Sequence, residues 1–336
     1  MPTGWKTEAG NHTCSLEPPS DMAYKHLFGP IASRRLGISL GVDLVPYKYC
    51  PLNCVYCEVQ STTHLQTTRE EFFPTQEIIA ELDDFMKSRP MLDYITFSGA
   101  GEPTLNSGIS IIIQHIKRNY PGYKLALLTN GVLLNDSEVL EEIIPCDLIL
   151  PSLDSATDRG YKLINRPKPG LKVEELINGL VKLRERYSGQ IWLEVFIIPG
   201  INDTNVELAA LKDALLRIKP DVVQLNSLDR PGAEDWVEAA TGAELRRVKS
   251  YLNQETGLFV EIIARMKYDS GISGLDKDLL SQIKDQLILC SSSAEQLSLT
   301  LNTHINEIMK YLRELDHEGM VEAERVEKGV VYTWKS

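Results

Sequence analysis

Residues 50 to 57 read Cys50-Pro51-Leu52-Asn53-Cys54-Val55-Tyr56-Cys57, a C-x3-C-x2-C run that follows an apolar, alternating segment. Three thiolates on one short loop can converge on a single soft metal centre, because iron–sulfur clusters and zinc prefer thiolate ligands. Three sulfurs would leave one iron of a 4Fe-4S cluster open to a ligand that is not protein. A closed zinc site needs a fourth Cys or His, and His64 lies at no familiar zinc spacing. Zinc and three unrelated buried cysteines remain the alternatives.

The cysteine run, with Tyr56 directly before the third cysteine, resembles the cluster motif of the radical S-adenosylmethionine (SAM) superfamily. The resemblance implies that Cys50, Cys54 and Cys57 hold a 4Fe-4S cluster whose open iron is chelated by the amino and carboxylate groups of SAM. It also implies reductive cleavage of SAM to methionine and a 5′-deoxyadenosyl radical, which takes a hydrogen atom from a substrate. A one-electron donor protein such as flavodoxin or ferredoxin is implied as a partner.

The composition is that of an ordinary globular protein, with 336 residues, 43% hydrophobic and 24% charged. The length suits one barrel-sized domain plus a small appendage. A net charge of −12 argues against a surface covered by nucleic acid or membrane. We expect a cytoplasmic protein, because no apolar run could span a bilayer and no signal peptide opens the chain. Cys14, Cys146 and Cys290 are too scattered for a disulfide framework.

Strands and helices alternate along most of the chain with short connections. Apolar residues at every second position of 38–44 predict a first strand with two unlike faces. The other strands are predicted at 94–98, 124–128, 147–150, 191–198 and 222–226. The helices are predicted at 76–87, 107–118, 136–143, 173–187, 205–218 and 244–253, the first with Thr75 as its N-cap. Short apolar strands of this kind are typical of a parallel sheet covered on both faces.

The polar signals follow the carboxyl ends of the predicted strands, which is the face where α/β barrels place their chemistry. Six strand–helix units predict an α/β fold, either an open doubly wound sheet or a barrel. The resemblance selects the partial (β/α)6 barrel, a TIM-like barrel, over residues 23–270.

Gly99-Ala100-Gly101-Glu102-Pro103 resembles the family's Gly-Gly-Glu-Pro segment, with Ala100 in place of one glycine. Alanine tolerates positive φ poorly, so backbone freedom at Ala100 is the point in question. The resemblance implies that this turn binds the ammonium of SAM, that polar strand ends contact its ribose and carboxylate, and that two apolar strand ends pack against adenine. The implied cofactor contacts are Tyr56, Ser98, Gly99, Ala100, Gly101, Glu102, Thr129, Asn130, Ser152, Ile198 and Leu225.

Two passages, residues 28–43 and 152–167, look like the branch of the family related to the wyosine tRNA-base synthases, and the resemblance covers about residues 24–230. Archaeal and eukaryotic members carry a second set of three cysteines ahead of the first, where this chain has Cys14 alone. The substrate is therefore not carried over from that branch.

Charged residues near the predicted catalytic face are candidates for substrate binding. Guanidinium and ammonium groups can bind a phosphate or carboxylate, and solvated surface charge is the alternative at each position. The candidates are Arg34, Arg35, Asp154, Arg159, Lys162 and Arg166.

The last part of the chain departs from the strand–helix alternation. After a loosely ordered leader (1–22) and the barrel, a linker at 271–274 precedes three predicted helices, at 277–289, 294–299 and 303–318, and a hairpin at 321–334. This order resembles a small winged helix-turn-helix domain over 271–336. From residue 276 onward, 7 Lys and Arg stand against 11 Asp and Glu, so DNA binding is disfavoured. Presentation of a protein, peptide or RNA substrate is expected instead.

Taken together, the sequence predicts a radical SAM oxidoreductase whose substrate is an RNA base, a peptide or protein, or a small metabolite. The alternative from another class is a regulator in which the cysteines sense iron or redox state, the winged helix binds nucleic acid, and SAM is not turned over.

Overall fold

The structure is a computed structural model that describes residues 24–33, 35–229, 231–264, 277–301, 303, 305–326 and 329–335. The chain divides into two compact units, one within 24–271 and the other within 272–336. The predicted leader and linker, with Cys14 and Arg34, lie outside the described residues.

The larger unit alternates strands and helices, as the periodicity predicts. Its strands are β1 (Leu27–Ser33), β2 (Gly37–Val42), β3 (Tyr49–Cys50), β4 (His64–Leu65), β5 (Tyr94–Phe97), β6 (Lys124–Thr129), β7 (Leu148–Pro151), β8 (Gln190–Phe196), β9 (Val222–Asn226) and β10 (Val260–Ile262). Its helices are α1 (Thr75–Met86), α2 (Ile109–Asn119), α3 (Ser137–Ile143), α4 (Asp158–Ile164), α5 (Val173–Arg186), α6 (Asn205–Ile218) and α7 (Gly242–Thr256).

Eight strands form one sheet in the order β1-β2-β5-β6-β7-β8-β9-β10. β1 runs antiparallel to β2, and every other neighbouring pair in this sheet is parallel. The sheet therefore contains the six predicted strands and two more. β1 escapes prediction because Gly29-Pro30 interrupts its pattern at a bulge in the β1–β2 pairing. β10 has only three residues, too few for a periodicity signal.

Apolar side chains cover both faces of the sheet. One face carries the main core, which includes Leu125, Leu127 and Ile149. The alternate residues on the other face, such as Ala126 and Leu148, pack with Leu36 from the turn between β1 and β2. The expectation of two unlike faces for the first strand is wrong from residue 39 to the strand's end. Residues 39–42 are all buried, because the sheet is covered on both sides there.

Local signals give the helix positions well but two details differ. α1 begins at Thr75 itself and Pro74 precedes it, so Thr75 is not the N-cap. The Thr75 amide nitrogen instead donates to Glu71 Oε1. The segment between the fourth predicted strand and the helix predicted at 173–187, where no helix is predicted, contains α4, which Thr157 caps by accepting from the Gly160 amide. Its seven residues are too short for a clear periodicity.

The second unit contains the three helices and the hairpin predicted for the end of the chain, together with one short strand, at Ser292–Ser293, that was not predicted. They are α8 (Lys277–Leu289), β11 (Ser292–Ser293), α9 (Ala294–Thr300), α10 (Ile305–His317), β12 (Val321–Val326) and β13 (Gly329–Trp334). The strands form an antiparallel sheet in the order β11-β13-β12. Ser293 caps α9 through a capping box with Gln296. The classification of this second unit as a winged helix-turn-helix domain stays a prediction.

Within the described part of the chain, every helix is too short or too polar to cross a lipid bilayer.

Candidate functional site

The three cysteines of the 50–57 loop line one cavity of about 300 Å³ at the carboxyl ends of the parallel strands. The turn after β5 contributes Ser98, Gly99, Gly101 and Glu102 to its wall. The remaining polar lining includes Arg35, Thr129, Asn130, Ser152, Asp154 and Glu194. The carboxyl ends of parallel strands meet at one edge of a sheet, so residues far apart in sequence are gathered here.

Each cysteine sulfur accepts a hydrogen bond from a side chain on a different loop. Lys48 Nζ lies 3.0 Å from Cys57 Sγ. Asn130 Nδ2 lies 3.4 Å from Cys50 Sγ, and Asn165 Nδ2 lies 3.4 Å from Cys54 Sγ. Donors of this kind favour the thiolate, which is the form of cysteine that binds metal.

Burial opposes ionisation of two of the cysteines. It raises the pKa of Cys50 to about 12, with the Glu102 carboxylate adding to the effect. Burial likewise raises the pKa of Cys54 well above its usual range, and Asp154 adds to it. Burial lowers the pKa of Lys48, but the neighbouring cysteine sulfurs outweigh it and the net direction is upward. A metal centre that displaces the thiol protons would remove this cost.

The Gly99–Gly101 turn needs glycine for space and not for backbone freedom. Neither glycine, nor Ala100 between them, has a positive φ. A Cβ at Gly99 would lie 2.1 Å from the Asp43 carboxyl carbon, and one at Gly101 would lie 2.3 Å from the Tyr49 carbonyl oxygen. Ala100 is buried outside the cavity lining, and its amide nitrogen donates to Asp43 Oδ2 at 3.0 Å. Alanine at position 100 therefore fits the turn without backbone strain, which answers the question that the sequence raised about backbone freedom there.

Glu102 joins the ends of β5 and β6. Its Oε1 accepts from the Thr104 amide and hydroxyl and from the Thr129 hydroxyl, and its Oε2 accepts from the Asn130 amide at 2.7 Å. Burial raises the pKa of Glu102, and these donors act against that rise. With four protein donors on its two oxygens, Glu102 shapes the cavity and holds Asn130 against Cys50.

Asp154, another buried carboxylate in the cavity lining, also accepts hydrogen bonds from several segments of the chain. Its Oδ1 accepts from the Phe196 amide at 2.9 Å, and its Oδ2 accepts from the Tyr56 hydroxyl at 2.7 Å and from Asn165 Nδ2 at 2.6 Å. Burial raises the pKa of Asp154 to about 6 despite these donors. The Tyr56 ring also stacks on Phe196, with centroids 3.9 Å apart. Tyr56 therefore ties the cysteine loop to the ends of β7 and β8.

Arg35 and Glu194 form an ion pair in the cavity wall. Arg35 reaches it from the turn between β1 and β2, and Glu194 projects from the middle of β8. Both side chains keep part of their surface exposed, 20% and 15%. The pair is therefore accessible to a polar group that enters the cavity.

Some of the predicted site residues lie elsewhere. Ile198 packs in a small cluster with Phe196 and Val55, and Leu225 lies in the main core. Neither side chain lines the cavity, and the expected adenine contact through Ile198 and the backbone around Leu225 stays a prediction. Arg159 and Lys162 are exposed on α4, outside the cavity lining, because the segment folds as a helix.

The last substrate candidate of that segment is also engaged outside the cavity. Arg166 pairs with Glu234 and does not line the cavity. Of the six charged substrate candidates, Arg35 and Asp154 are therefore the two that the structure brings to the cavity, and Arg34 falls outside the described residues.

Four residues at or beside the site carried no assignment from the sequence. Lys48 stands two positions before the first cysteine, and Asp43 ends the first strand pattern. Asn165 lies in the 152–167 passage, which resembles the wyosine-related branch of the family. Glu194 gives the clearest signal of the four, because a carboxylate inside an otherwise apolar strand needs a partner.

The donor set fits a thiolate-bound cluster. Among the described residues, no three His, Cys, Asp or Glu side chains come close enough together to hold a single metal ion, whereas three sulfurs line one cavity. The Tyr161 hydroxyl is buried without a hydrogen-bond partner in the described structure. Burial raises the pKa of Tyr161, and Cys54 and Cys50 are the next causes, which places the hydroxyl near them. A sulfur of a bound cluster would offer this hydroxyl an acceptor.

Comparison with known families gives one match. The family model described as the radical SAM superfamily matches residues 44–211, which contain the cysteine loop and the strands up to β8.

Several proteins are similar in sequence over much of the chain. A UPF0026 protein from Synechocystis sp. is 35% identical over 210 residues, which cover 61% of this chain and 76% of that protein. A protein from Brachyspira hyodysenteriae named GTPase Obg is 32% identical over 307 residues, which cover 91% of this chain and 45% of that protein. The chain thus spans less than half of the latter protein.

Solved structures share the fold at low sequence identity. A radical SAM methyltransferase from Sphaerobacter thermophilus superposes with a TM-score of 0.51 at 18% identity, covering 67% of this chain and 66% of that one. Streptococcus suis SuiB bound to S-adenosylmethionine gives a TM-score of 0.50 at 16% identity, covering 66% of this chain and 50% of that one.

Proposed function

The chain belongs to the radical SAM superfamily, and we propose that it is an enzyme that cleaves SAM reductively and uses the radical to take a hydrogen atom from a substrate. Proteins of this family bind a 4Fe-4S cluster and SAM, so the zinc alternative falls away. The observation that carries the proposal is the convergence of Cys50, Cys54 and Cys57 on the cavity walled by the Gly99–Glu102 turn.

In this proposal the three cysteines hold the cluster, and the turn after β5 receives the polar end of SAM. When bound, the cluster supplies the electron that splits the sulfonium of SAM. Glycine at Gly99 and Gly101 lets the turn pack closely against Asp43 and the Tyr49 carbonyl, which fixes the turn in the cavity wall. Thr129 and Asn130 lie at the end of β6 and Ser152 follows β7, and all three face the same space.

The remaining wall is suited to orienting a substrate. Arg35 and Glu194 present a positive and a negative group side by side. A polar substrate group can replace either partner, because both are partly exposed. Leu52, Leu128 and Leu176 supply apolar lining that limits access of water to a reactive radical.

Substrate class and partners belong to the same proposal. An RNA base, a peptide or protein, or a small metabolite fits a family enzyme, and kinship with the wyosine-related branch is supported by the 28–43 and 152–167 passages alone. A flavodoxin- or ferredoxin-type protein would supply the electron. The 277–335 unit, read as a winged helix, would present a macromolecular substrate.

The regulator alternative is not favoured. A sensor would need the three cysteines but not the Gly99–Gly101 turn, Asn130 and Ser152 gathered on the same cavity. We retain it as the competing outcome of the experiment.

The test is anaerobic reconstitution of the full chain with iron and sulfide, followed by incubation with SAM and a strong reductant. We expect four irons per chain and formation of 5′-deoxyadenosine. Cys54→Ala should lose both the cluster and the cleavage. Cys146→Ala is the matched control and should keep both, because Cys146 is buried just before β7, at the amino ends of the strands, and does not line the cavity.

A sensor predicts a different result, namely a stable cluster without 5′-deoxyadenosine under any reductant tried. Bound zinc in place of iron would contradict the proposal outright. A labelled incubation that follows deuterium between the deoxyadenosyl group and candidate compounds would then identify the substrate.

A further inference from the structure

Lys48 is a buried cation held firmly in place. It is 3% exposed, and its backbone is hydrogen-bonded on both sides. The Lys48 amide donates to the Ala100 carbonyl at 2.9 Å, and the His64 amide donates to the Lys48 carbonyl at 3.1 Å. Its φ of 62° lies in the left-handed region that non-glycine residues seldom adopt. Such backbone outliers persist where the surrounding structure determines them.

The charges around this ammonium are those of the cysteines. Its side-chain hydrogen bond goes to Cys57 Sγ at 3.0 Å. The leading charge interactions on it are with Cys57, then Cys50 and Cys54. Burying a cation is costly unless an anion compensates it. The negative charge that compensates Lys48 is therefore that of the metal-binding sulfurs.

The other two cysteines receive neutral donors. Asn130 and Asn165 each donate from an amide at 3.4 Å, to Cys50 and Cys54. An amide offers a partial charge, whereas an ammonium brings a full one at a shorter distance. Among these three donors to the cysteine sulfurs, Lys48 is thus the one that brings a full positive charge.

We propose that Lys48 is a positioning residue that sets the reduction potential of the cluster held by Cys50, Cys54 and Cys57. Hydrogen bonds and charges beside the sulfurs are among the determinants of cluster potentials. Reduction adds one electron from a flavodoxin- or ferredoxin-type donor, breaks no bond and leaves the ammonium proton in place. The positive charge stabilises the more negative, reduced state, so Lys48 makes reduction easier.

This inference rests on the proposed function, because it requires the cluster. It is tested on the reconstituted full chain without SAM, by a potentiometric titration in which the reduced cluster is followed by electron paramagnetic resonance. Lys48→Met removes the charge at similar length, and Lys48→Arg keeps it. Lys117→Met is the control, since Lys117 pairs with Asp147 ahead of β7, at the amino ends of the strands.

At the wild-type midpoint potential, half of the wild-type clusters are reduced. We expect the ratio of reduced to oxidised cluster in Lys48→Met to fall by about tenfold or more, because loss of one charge–charge interaction at a few ångströms inside a protein exceeds the free energy of a tenfold change. Lys48→Arg and Lys117→Met should stay near the wild-type ratio. An unchanged ratio in a fully iron-loaded Lys48→Met would overturn the inference.

If Lys48→Met fails to retain four irons, Lys48→Gln takes its place, since glutamine is neutral and can still donate to Cys57. A Lys48→Gln midpoint equal to that of Lys48→Arg overturns the inference, and a more negative one supports it. Absence of SAM cleavage by the wild type would contradict the proposed function instead, because the titration is made without SAM.

Discussion

Two buried carboxylates, Glu102 and Asp154, line the cavity, and their hydrogen-bond donors come from different parts of the chain. Glu102 takes its four hydrogen bonds from its own turn and the end of the next strand. Asp154 takes its three from the cysteine loop, from the residue after α4 and from β8. Each also positions an asparagine that donates to a cysteine, Asn130 to Cys50 and Asn165 to Cys54.

The difference shows that a buried carboxylate can take its hydrogen bonds from residues near in sequence or from residues far apart in sequence. The Glu102 side is built from neighbouring strands, and a short sequence motif marks it. The Asp154 side joins Asp154 to Tyr56, 98 positions earlier in the chain, and to Phe196, 42 positions later. A motif can identify the first kind of arrangement, whereas the second depends on the register of the whole sheet.

The largest effect on stability is expected for Glu102→Gln. Both oxygens of Glu102 accept from a backbone amide, one from Thr104 and the other from Asn130. Either orientation of the glutamine amide therefore sets an N–H group against a backbone donor. We expect a loss of about 2–4 kcal/mol in the free energy of unfolding, measured by urea denaturation of the apoprotein.

Asp154→Asn is the matched comparison and should cost about 1 kcal/mol. Its amide oxygen can keep the bond from the Phe196 amide, and its amino group can donate to the Tyr56 hydroxyl oxygen. In the wild type the Asn165 side chain donates to the same carboxylate oxygen, and in the variant its amide can flip to present its oxygen to the new amino group. If Glu102→Gln and Asp154→Asn lost the same free energy of unfolding, the distinction between these two carboxylates would be wrong.

A smaller loss is expected for Gly101→Ala on the Glu102 side. The new Cβ would lie 2.3 Å from the Tyr49 carbonyl oxygen, which is backbone and cannot rotate away. We expect about 1–3 kcal/mol of destabilisation and weaker SAM binding, measured by denaturation and by calorimetry on the reconstituted protein.

Gly122→Ala is the control for Gly101→Ala. A Cβ at Gly122 meets nothing within 4 Å, and its φ is not positive, so this variant should match the wild type. If Gly101→Ala were as stable as Gly122→Ala, the close approach of Tyr49 to the turn would be wrong.

The remaining prediction concerns the pH dependence of stability and Asp43, whose carboxylate accepts from the amide of Ala100 in the Gly99–Gly101 turn. Burial raises the pKa of Asp43 from 3.8 to about 7. Between these two values the folded protein binds more protons than the unfolded chain, so the free energy of unfolding falls as the pH rises. One such group changes it by at most about 1.4 kcal/mol per pH unit.

Asp43→Asn cannot titrate, and its amide oxygen can still accept from the Ala100 amide. Urea denaturation at about pH 5 and pH 7 should therefore show a flatter pH dependence for this variant than for the wild type. Asp154 titrates in both proteins, so the difference between them isolates Asp43. Parallel curves would show that Asp43 stays ionised in the folded state.

The sequence was most informative where the signal is local. The period of the apolar residues gave six of the parallel strands and most helices, because burial on one side of an element depends on its own spacing. It did not reveal β1 or α4. A proline interrupts the pattern of β1, and α4 is too short for its period to show.

The site was predictable in part for the same reason. The cysteine spacing and the Gly99–Glu102 motif are contiguous, so both could be read directly from the chain. Leu225 and Ile198 were assigned to adenine from position alone, and burial in the cores removes both side chains from the cavity. Glu194 is a carboxylate inside an apolar strand, but its partner Arg35 lies 159 positions away.

The sequence by itself determined the strand–helix alternation, the three thiolates and the polar turns after the strands, because each of these depends on neighbouring residues. Only the tertiary structure decided which donor reaches which sulfur, with Lys48, Asn130 and Asn165 coming from three separate loops. Such contacts follow from strand order and register, which bring together side chains that no local pattern connects.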